Sequence, residues 1–290
     1  MQVLYDVPAP AKLNLFLHIV GRRSDGYHQL QSAFMLIDWA DSLHFALRSD
    51  GRISREDLGP ALPPDDLTTR AARALQAATG TAQGAHIGII KRVPAQAGMG
   101  GGSSDAASCL LALNRLWGLH LGLEQLERIG LALGADVPFF LRGRNAWVEG
   151  VGERITPLEG ACAPPPARFA VARPAAGLET ASIFSHPALK RDSKPATIAG
   201  FAADHYGFGH NDLQPVAQML CSDVTQALGW LAAKGLQPRM TGSGSAVFAR
   251  MAHDIDLSDA PSGWQVRQCS NLDVHPLVGW APSDKSSVGV

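Results

Sequence analysis

The stretch that decides the fold is Gly98-Met99-Gly100-Gly101-Gly102-Ser103-Ser104-Asp105-Ala106-Ala107. It lies between an extended run at 86–93 and a run with helical spacing at 105–117. Four glycines within residues 98–102 let the backbone come close to a ligand without interference from a Cβ atom. Because the following helix directs its free N–H groups and its positive dipole end at this loop, the stretch predicts a phosphate site.

The residues of the loop do not match either of the two commonest phosphate-binding motifs. A Walker A loop ends in Gly-Lys-Ser/Thr, and no Lys follows these glycines. A dinucleotide fingerprint needs a third glycine at the position where Ser103 stands. We therefore expect backbone amides and the hydroxyls of Ser103 and Ser104 to hold the phosphate, and a metal ion and a distant Lys to neutralise its charge.

The bulk composition is that of an ordinary globular protein. The chain has 290 residues, 46% of them hydrophobic, and a formal net charge of −1 at pH 7. This length suits one large or two medium domains, each with its own core. The near-neutral charge argues against nucleic acid or an anionic membrane as a partner, so local cations must bind any anionic substrate.

Cysteine spacing and the N-terminal sequence predict a cytoplasmic protein. The four cysteines, at 109, 162, 221 and 269, are far apart and form no Cys-x-x-Cys pair. This argues against a zinc site or a disulfide framework and fits a reducing compartment. The N-terminus has no basic segment followed by an unbroken apolar run, so we expect neither a signal peptide nor a membrane span.

The first half of the chain combines strand and helix patterns. Residues 12–20 alternate between polar and apolar side chains, which predicts a strand with one apolar face, with Lys12 and Asn14 on the same side and about 7 Å apart. Apolar spacing predicts helices over 67–78, 105–117 and 123–133. Asp136 follows the third helix, and Pro138 disfavours helical geometry before it, so we expect Asp136 in an irregular segment.

The proline-rich segment 156–166 predicts a domain boundary. It divides the chain into residues 1–157 and 158–275, with residues 276–290 as a flexible tail. The second half shows a strand at 169–172, a long helix at 213–234, and a second glycine-rich turn at 240–245 before a strand at 246–251. Strands and helices alternate in both halves, which predicts an α+β fold with two layers.

Three polar residues outside the loop fit a phosphoryl-transfer site. They are Lys12, Asp136 and Asn14. Taken alone, each has an ordinary explanation: a Lys protects a strand edge, an Asp after a helix-ending glycine forms a turn, and an Asn on a polar face is solvated. Beside a phosphate loop, Lys12 supplies a cation for the transferring group and Asp136 orients the attacking hydroxyl. Ser104 offers a hydroxyl to Mg²⁺, for which the spacing reveals no carboxylate ligands.

Three segments resemble, in order and spacing, the three motifs of the GHMP kinase superfamily. They are residues 10–17 (Pro-Ala-Lys-Leu-Asn-Leu-Phe-Leu), the loop 98–107, and residues 241–246 (Thr-Gly-Ser-Gly-Ser-Ala). Residues 21–28 (Gly-Arg-Arg-Ser-Asp-Gly-Tyr-His), 133–140 (Leu-Gly-Ala-Asp-Val-Pro-Phe-Phe) and 211–213 (Asn-Asp-Leu) are similar to segments of the 4-diphosphocytidyl-2-C-methyl-D-erythritol kinase family. The resemblance extends from about residue 8 to residue 250.

The resemblance implies a fold, a reaction and its ligands. The implied fold is the two-domain GHMP kinase fold, with an N-terminal domain like ribosomal protein S5 domain 2 and a ferredoxin-like C-terminal domain. The implied reaction uses ATP and Mg²⁺ to phosphorylate the 2-hydroxyl of 4-diphosphocytidyl-2-C-methyl-D-erythritol, in the non-mevalonate route to isoprenoid precursors. The partners are then small molecules, ATP and a cytidine diphosphate-linked polyol, and the protein is a monomer or a homodimer.

The resemblance also implies residue roles. Asp136 would receive the hydroxyl proton, and Lys12 would keep that carboxylate ionised and neutralise the transferring phosphoryl. Aromatic faces would stack on the cytosine while His28 hydrogen-bonds its edge. The implied ATP-binding residues are Pro94, Gly98, Met99, Gly100, Gly101, Gly102, Ser103 and Ser104. The implied substrate-binding residues are Asn14, Tyr27, His28, Asp136, Phe184, Gly242 and Ser243.

Three alternative functions are weighed against this interpretation. A superfamily relative acting on homoserine or a mevalonate-type acid would have no base for Tyr27 and His28 to hold. A nicotinamide-dependent oxidoreductase is disfavoured by the failed fingerprint and by the lack of an acidic residue after a second strand. A non-catalytic nucleotide-binding protein is not expected to keep both Lys12 and Asp136.

Overall fold

The computed structural model describes residues 2–282, which form two β-sheets with helices packed against them. The strands are β1 (Val3–Arg22), β2 (His28–Arg48), β3 (Ile53–Asp57), β4 (Gly84–Ile90), β5 (Ala146–Gly150), β6 (Arg154–Pro157), β7 (Arg168–Arg173), β8 (Arg239–Met240), β9 (Val247–Met251) and β10 (Gln265–Ser270). The helices are α1 (Leu67–Thr79), α2 (Gly101–Leu116), α3 (Leu123–Leu133), α4 (Val137–Arg142), α5 (Thr180–Ser185), α6 (Ile198–Ala203), α7 (Gln214–Leu220) and α8 (Ser222–Ala233), with a 3₁₀ turn at Gly160–Cys162.

The two sheets lie on either side of the predicted proline-rich boundary in the sequence. The first has the order β3-β4-β2-β5-β6, and β1 pairs with β2 in antiparallel fashion. Strands β3 and β4 are parallel and are connected through α1. The second sheet has the order β10-β7-β9-β8 and is antiparallel throughout. None of the helices within residues 2–282 is long and apolar enough to span a bilayer.

The alternation of side chains along β7 shows how the layers pack. Phe169 and Val171 lie in a core that also contains residues of β1 and β2. Ala170 and Ala172 point the other way, into a core shared with α7 and α8. The two sheets therefore face each other, and helices cover the outer face of the second sheet.

Strand β1 is buried on both faces, which differs from the predicted strand with one apolar face. Leu13 and Phe16 lie in the core between the sheets, although the alternation predicts opposite sides for them. The register with β2 shifts between Asn14 and Leu17, and this irregularity breaks the period of two. The polar residues of β1 are consequently enclosed by protein as well.

Two further predictions about local structure are wrong. The single helix predicted at 213–234 is broken into α7 and α8 at Cys221, whose backbone is extended. Asp136 lies in the turn between α3 and α4, as predicted, but Val137, where Pro138 is expected to disfavour helical geometry, is already the first residue of α4. Pro138 lies in the first turn of that helix, where a missing N–H has no intrahelical partner to lose, so this proline starts a helix.

The segment predicted as a flexible tail from residue 276 is packed in its described part. Leu277 is only 3% exposed and belongs to the core of the first sheet. Just before it, the His275 N–H donates to the Gly143 carbonyl at the end of α4 (2.8 Å). The Leu123 N–H donates to the Pro282 carbonyl (3.1 Å), so this segment also contacts the start of α3. The remainder of the predicted tail, 283–290, lies outside the described residues.

The glycine loop joins the two halves of the chain. A Cβ atom on Gly98 would overlap the Thr241 carbonyl oxygen and lie 2.8 Å from the Gly244 nitrogen. Gly98 also has a φ of +69°, in the left-handed region. On its other side the loop is bound to β1, because the Lys12 N–H donates to the Met99 carbonyl (2.9 Å). Only glycine fits at position 98.

We expect Gly98→Ala to lower the free energy of unfolding by about 3 kcal/mol or more, because it adds left-handed strain to a clash with fixed backbone. Urea unfolding followed by circular dichroism measures this loss. The matched control is Gly102→Ala, whose Cβ would lie in α2 at an ordinary 3.4 Å from Leu67 and should be neutral or stabilising. Equal stability of the two variants would contradict the packing argument.

The buried His275 makes the stability of the fold depend on pH. Burial lowers the pKa of His275 from 6.5 to about 4. Between these values the unfolded chain binds a proton that the folded chain does not, so acidification through this window should cost about 3 kcal/mol of stability. Urea unfolding at several pH values should show the loss. His275→Asn should reduce the slope of the free energy of unfolding against pH by the equivalent of about one proton. The exposed His253→Asn serves as a control that keeps the slope; an unchanged slope in His275→Asn would contradict the assignment.

Candidate active site

The glycine loop lines a cavity of about 640 Å³ between the two halves of the chain. The opposite wall is formed by Ser243 and Gly244 of the second glycine-rich turn and by residues 178–180 at the start of α5. Met99 contributes backbone here, since its side chain is buried in the core between the sheets. Seven residues of the predicted ATP set line this cavity: Pro94, Gly98, Met99, Gly100, Gly101, Gly102 and Ser103.

Ser104 does not line the cavity, although the sequence analysis assigned it to ATP and to a metal ion. The residue is fully buried, and its hydroxyl donates to the Pro10 carbonyl (2.7 Å). Its N–H donates to the Gly100 carbonyl (2.9 Å) within the first turn of α2. Of the two serines, Ser103 is the one that lines the cavity.

Lys12, Asn14 and Asp136 are brought together beside the loop. Lys12 and Asn14 lie on the same side of β1, as predicted, and the Lys12 Nζ donates to the Asn14 Oδ1. The Asp136 carboxylate lies 3.6 Å from the same Nζ. Gly100 of the loop is so close that a Cβ on it would lie 3.3 Å from the Lys12 Cε and 2.9 Å from Phe140. We call Lys12, Asn14 and Asp136 the lysine cluster.

The charges of the lysine cluster differ in their access to solvent. The Lys12 side chain is 4% exposed, and its Nζ lies 4.5 Å from the centre of the Phe34 ring. Burial lowers the pKa of Lys12, and the charge of Asp136 opposes that shift. The Asp136 side chain is 29% exposed. The carboxylate is thus the member of the pair that an incoming molecule can reach.

Asn14 connects the lysine cluster to the second glycine-rich turn. Its backbone N–H donates to the Thr241 Oγ1 and its side-chain amide donates to the Ser32 Oγ, both at 2.9 Å. Gly242 packs against it, because a Cβ there would lie 3.2 Å from the Asn14 Oδ1 and 2.7 Å from the Gly98 carbonyl oxygen. Gly242 therefore lies between the lysine cluster and the loop, and its neighbour Ser243 faces the loop cavity.

A second cavity, of about 430 Å³, contains the three residues predicted to hold a base. Tyr27, His28 and Phe184 all line it. The rings of His28 and Phe184 lie 5.2 Å apart at 35°, and Tyr27 is 65% exposed. We call this space the aromatic cavity. Helix α5 connects it to the loop cavity, since Thr180 lines the loop cavity while Phe184 lines the aromatic one.

The sequence analysis missed a buried ion cluster at the loop. Lys91, just after β4, donates to Asp41 and lies 2.5 Å from the Asp105 carboxylate. Burial disfavours its ammonium, but the two carboxylates outweigh burial and raise the pKa of Lys91. Its Nζ would lie 3.6 Å from a Cβ on Gly101. A second lysine thus lies at the loop, although two carboxylates hold its ammonium. Its position between β4 and the glycines was the available signal in the sequence.

Comparisons with known proteins identify the family of the chain. Residues 66–144 match the model of the GHMP kinases N terminal domain. The chain is 69% identical to the 4-diphosphocytidyl-2-C-methyl-D-erythritol kinase of Paracidovorax citrulli (strain AAC00-1), over 98% of this chain and 100% of that protein. It is 68% identical to the protein of the same name from Albidiferax ferrireducens (strain ATCC BAA-621 / DSM 15236 / T118), over 100% of this chain and 99% of that protein.

Solved structures agree with these relatives. A crystal structure of 4-(cytidine 5'-diphospho)-2C-methyl-D-erythritol kinase superposes with a TM-score of 0.77 at 32% identity, covering 93% of this chain and 99% of that one. The homoserine kinase of Cytophaga hutchinsonii ATCC 33406 superposes with a TM-score of 0.67 at 16% identity, over 95% of this chain and 96% of that one, and so shares the fold. Because relatives this similar match almost the whole length, the chain belongs to the 4-diphosphocytidyl-2-C-methyl-D-erythritol kinase family of the GHMP kinases.

Proposed function

We propose that this chain transfers the γ-phosphoryl group of ATP to the 2-hydroxyl of 4-diphosphocytidyl-2-C-methyl-D-erythritol. The observation that carries the proposal is the position of the lysine cluster beside the loop cavity, with the aromatic cavity reached along the same short helix, α5. One cavity suits a nucleotide phosphate chain and the other suits a pyrimidine. A hydroxyl held beside Lys12 would meet Asp136, whose carboxylate lies 3.6 Å from the Lys12 Nζ.

The residues of the lysine cluster have complementary tasks in this reaction. Asp136 accepts the proton of the 2-hydroxyl as the oxygen forms its bond to phosphorus and the bond to the ADP oxygen breaks. The Lys12 ammonium stabilises the ionised carboxylate and the charge on the transferring group. Asn14 fixes the ammonium through its side-chain oxygen and is itself fixed by Thr241 and Ser32. These tasks need both charges, which disfavours a non-catalytic nucleotide-binding protein.

The loop supplies the ATP contacts in this proposal. The first N–H groups of α2, at residues 101–103, lack partners inside the helix and can donate to phosphate oxygens, as can the Ser103 hydroxyl. The ammonium of Lys91 lies near the loop, but Asp41 and Asp105 balance its charge, so it adds little positive field at the phosphates. Pro94, Gly98 and the glycines up to 102 bring the backbone close to the phosphates.

The residues present also fit a magnesium ion that arrives with ATP. Within residues 2–282 no group of three or more His, Cys, Asp or Glu side chains is arranged to hold a metal. Mg²⁺ commonly keeps several waters and binds phosphates with only one or two carboxylates, so a preformed protein cage is unnecessary. Ser103, which lines the loop cavity, is an oxygen donor that would hold the ion together with water, and the ion would offset phosphate charge.

The aromatic cavity distinguishes this substrate from those of other members of the fold. Homoserine and mevalonate carry no flat ring, and the likeness to homoserine kinase extends to the fold alone. Stacking on an aromatic side chain stabilises a bound base by about 1–3 kcal/mol. Membership of a kinase family also argues against the alternative that the protein is a nicotinamide-dependent oxidoreductase.

We expect the purified protein with Mg-ATP to release ADP in the presence of 4-diphosphocytidyl-2-C-methyl-D-erythritol and not with homoserine or mevalonate. Tyr27→Ala should raise the KM for that substrate about 10-fold, by loss of stacking, and leave the KM for ATP unchanged. Tyr5→Ala, at a site of similar exposure (69%) outside both cavities, is the control. Turnover of another alcohol, or an equal rise of both KM values, would contradict the proposal.

We expect Asp136→Asn to lower kcat by about 100-fold or more, because a positioned base contributes a factor of this order. ATP affinity, measured by calorimetry, should be nearly unchanged, since the loop contacts remain. Asp65→Asn removes an exposed carboxylate that takes no part in the lysine cluster, and it should behave like the unmodified protein. A kcat in Asp136→Asn equal to that of this control would rule out Asp136 as the base.

A further inference from the structure

His28 and Phe184 of the aromatic cavity are both held by one side chain, that of Arg191. The Arg191 Nε donates to the His28 Nε2 at 3.0 Å. The terminal nitrogens donate to the carbonyls of Phe184 (3.2 Å), His186 (2.9 Å) and Leu189 (2.9 Å). A single guanidinium thus binds the carboxyl end of α5, which carries Phe184, to the ring of His28.

The contact from Arg191 defines where the His28 ring carries its proton. A guanidinium has donors and no acceptor, so the Nε2 atom that it contacts must present a lone pair. A neutral imidazole with a lone pair on Nε2 has its hydrogen on Nδ1. Burial and the charges of Arg191 and Arg22 lower the pKa of His28, which favours this neutral form.

The Nδ1–H of His28 is available to a ligand. Within the part of the chain that the structure describes, no side chain or carbonyl accepts from this nitrogen. The ring lines the aromatic cavity and lies beside Phe184. A flat ring bound in the cavity would therefore meet a fixed donor at its edge.

A fixed donor distinguishes cytosine from uracil at one atom. N3 of cytosine is a hydrogen-bond acceptor, whereas N3 of uracil carries a hydrogen. Two opposed donors leave each other unpaired, and an unpaired polar group in a site is costly. The other tautomer of His28, with its hydrogen on Nε2, would present an acceptor and favour uracil instead.

We propose that Arg191 is a positioning residue that holds His28 in its Nδ1–H form and thereby makes the site select a cytosine over a uracil nucleotide substrate. This inference rests on the proposed function, because it takes the aromatic cavity as the site of the pyrimidine. It adds to that function a specificity determinant that touches the base only through another residue.

The tautomer is tested without turnover, by ¹⁵N NMR of histidine-labelled protein, with His28→Gln to assign the signals. In the ligand-free wild-type protein we expect a protonated Nδ1 and an unprotonated Nε2 for His28. Arg191→Met keeps the aliphatic stem, removes the donor, and should shift this ring toward the Nε2–H form that predominates for imidazole in water. Lys190→Met, a cation removed at the adjacent exposed position, should leave it unchanged. A protonated Nε2 in the wild-type protein would overturn the inference.

Specificity is tested by comparing kcat/KM for the cytidine diphosphate substrate with that for its uridine diphosphate analogue. Arg191→Met should lower the preference for cytosine about 10-fold, through the KM of the cytosine substrate, with the KM for ATP unchanged. Arg191→Lys, which keeps a donor, should restore part of the preference, and Lys190→Met should retain all of it. An unchanged preference in Arg191→Met would overturn the inference.

Two outcomes separate this inference from the proposed function. If the wild-type protein does not phosphorylate the cytidine diphosphate substrate, the proposed function fails, while the NMR result still decides the tautomer of His28. If Arg191→Met does not fold, the wild-type tautomer and the base preference of Arg191→Lys decide the case. An Nδ1–H wild-type ring with a reduced but not abolished preference in Arg191→Lys supports the inference, and an Nε2–H ring or an unchanged preference overturns it.

Discussion

The backbone contact between Gly98 and the turn at 241–244 is the constraint on which the rest of the site depends. The loop belongs to the first half of the chain and the turn to the second, and no Cβ fits between them at Gly98. The same loop is hydrogen-bonded to β1 at Lys12. This contact fixes the position of α2, whose amino end faces the loop cavity, relative to the lysine cluster. A phosphate held at the loop would consequently have a defined distance from the reacting hydroxyl.

Two buried lysines beside the loop illustrate how surroundings assign different tasks to the same side chain. Lys91 contacts two carboxyl groups, Asp41 and Asp105, which balance its charge even though burial raises the pKa of Asp105 well above its usual range. Lys12 has one carboxylate partner among the described residues, Asp136, at 3.6 Å and partly open to solvent. The electrostatic field of Lys91 is therefore largely cancelled. Lys12 retains a positive charge that can interact with an arriving phosphoryl group. A buried ammonium with this incomplete pairing is costly for folding and suits transition-state stabilisation.

The fold was predictable where local rules are strong and unpredictable where packing decides. The glycine loop with its helix and the strand at β1 follow from residue patterns, and the structure contains both of them. The apolar spacing of 213–234 continues through Cys221, so the helical periodicity of the sequence does not indicate that the segment forms two helices. The burial of Leu277 could not be foreseen in a polar segment, because the surface that covers it comes from distant parts of the chain.

The sequence by itself determined the kinase family and predicted the chemistry: a phosphate loop without its own Lys, a Lys and an Asp suited to phosphoryl transfer, and aromatic residues suited to a base. The loop, the Lys and the Asp follow from residue type and spacing, whereas the role of the aromatic residues is implied only by the resemblance to a kinase family. Only the tertiary structure decided which groups meet. It buried Ser104 against Pro10, put Lys91 at the loop, and placed Arg191 on His28 across 163 positions of chain. Such contacts are set by how sheets and helices pack, and no local pattern encodes a hydrogen bond between residues so far apart.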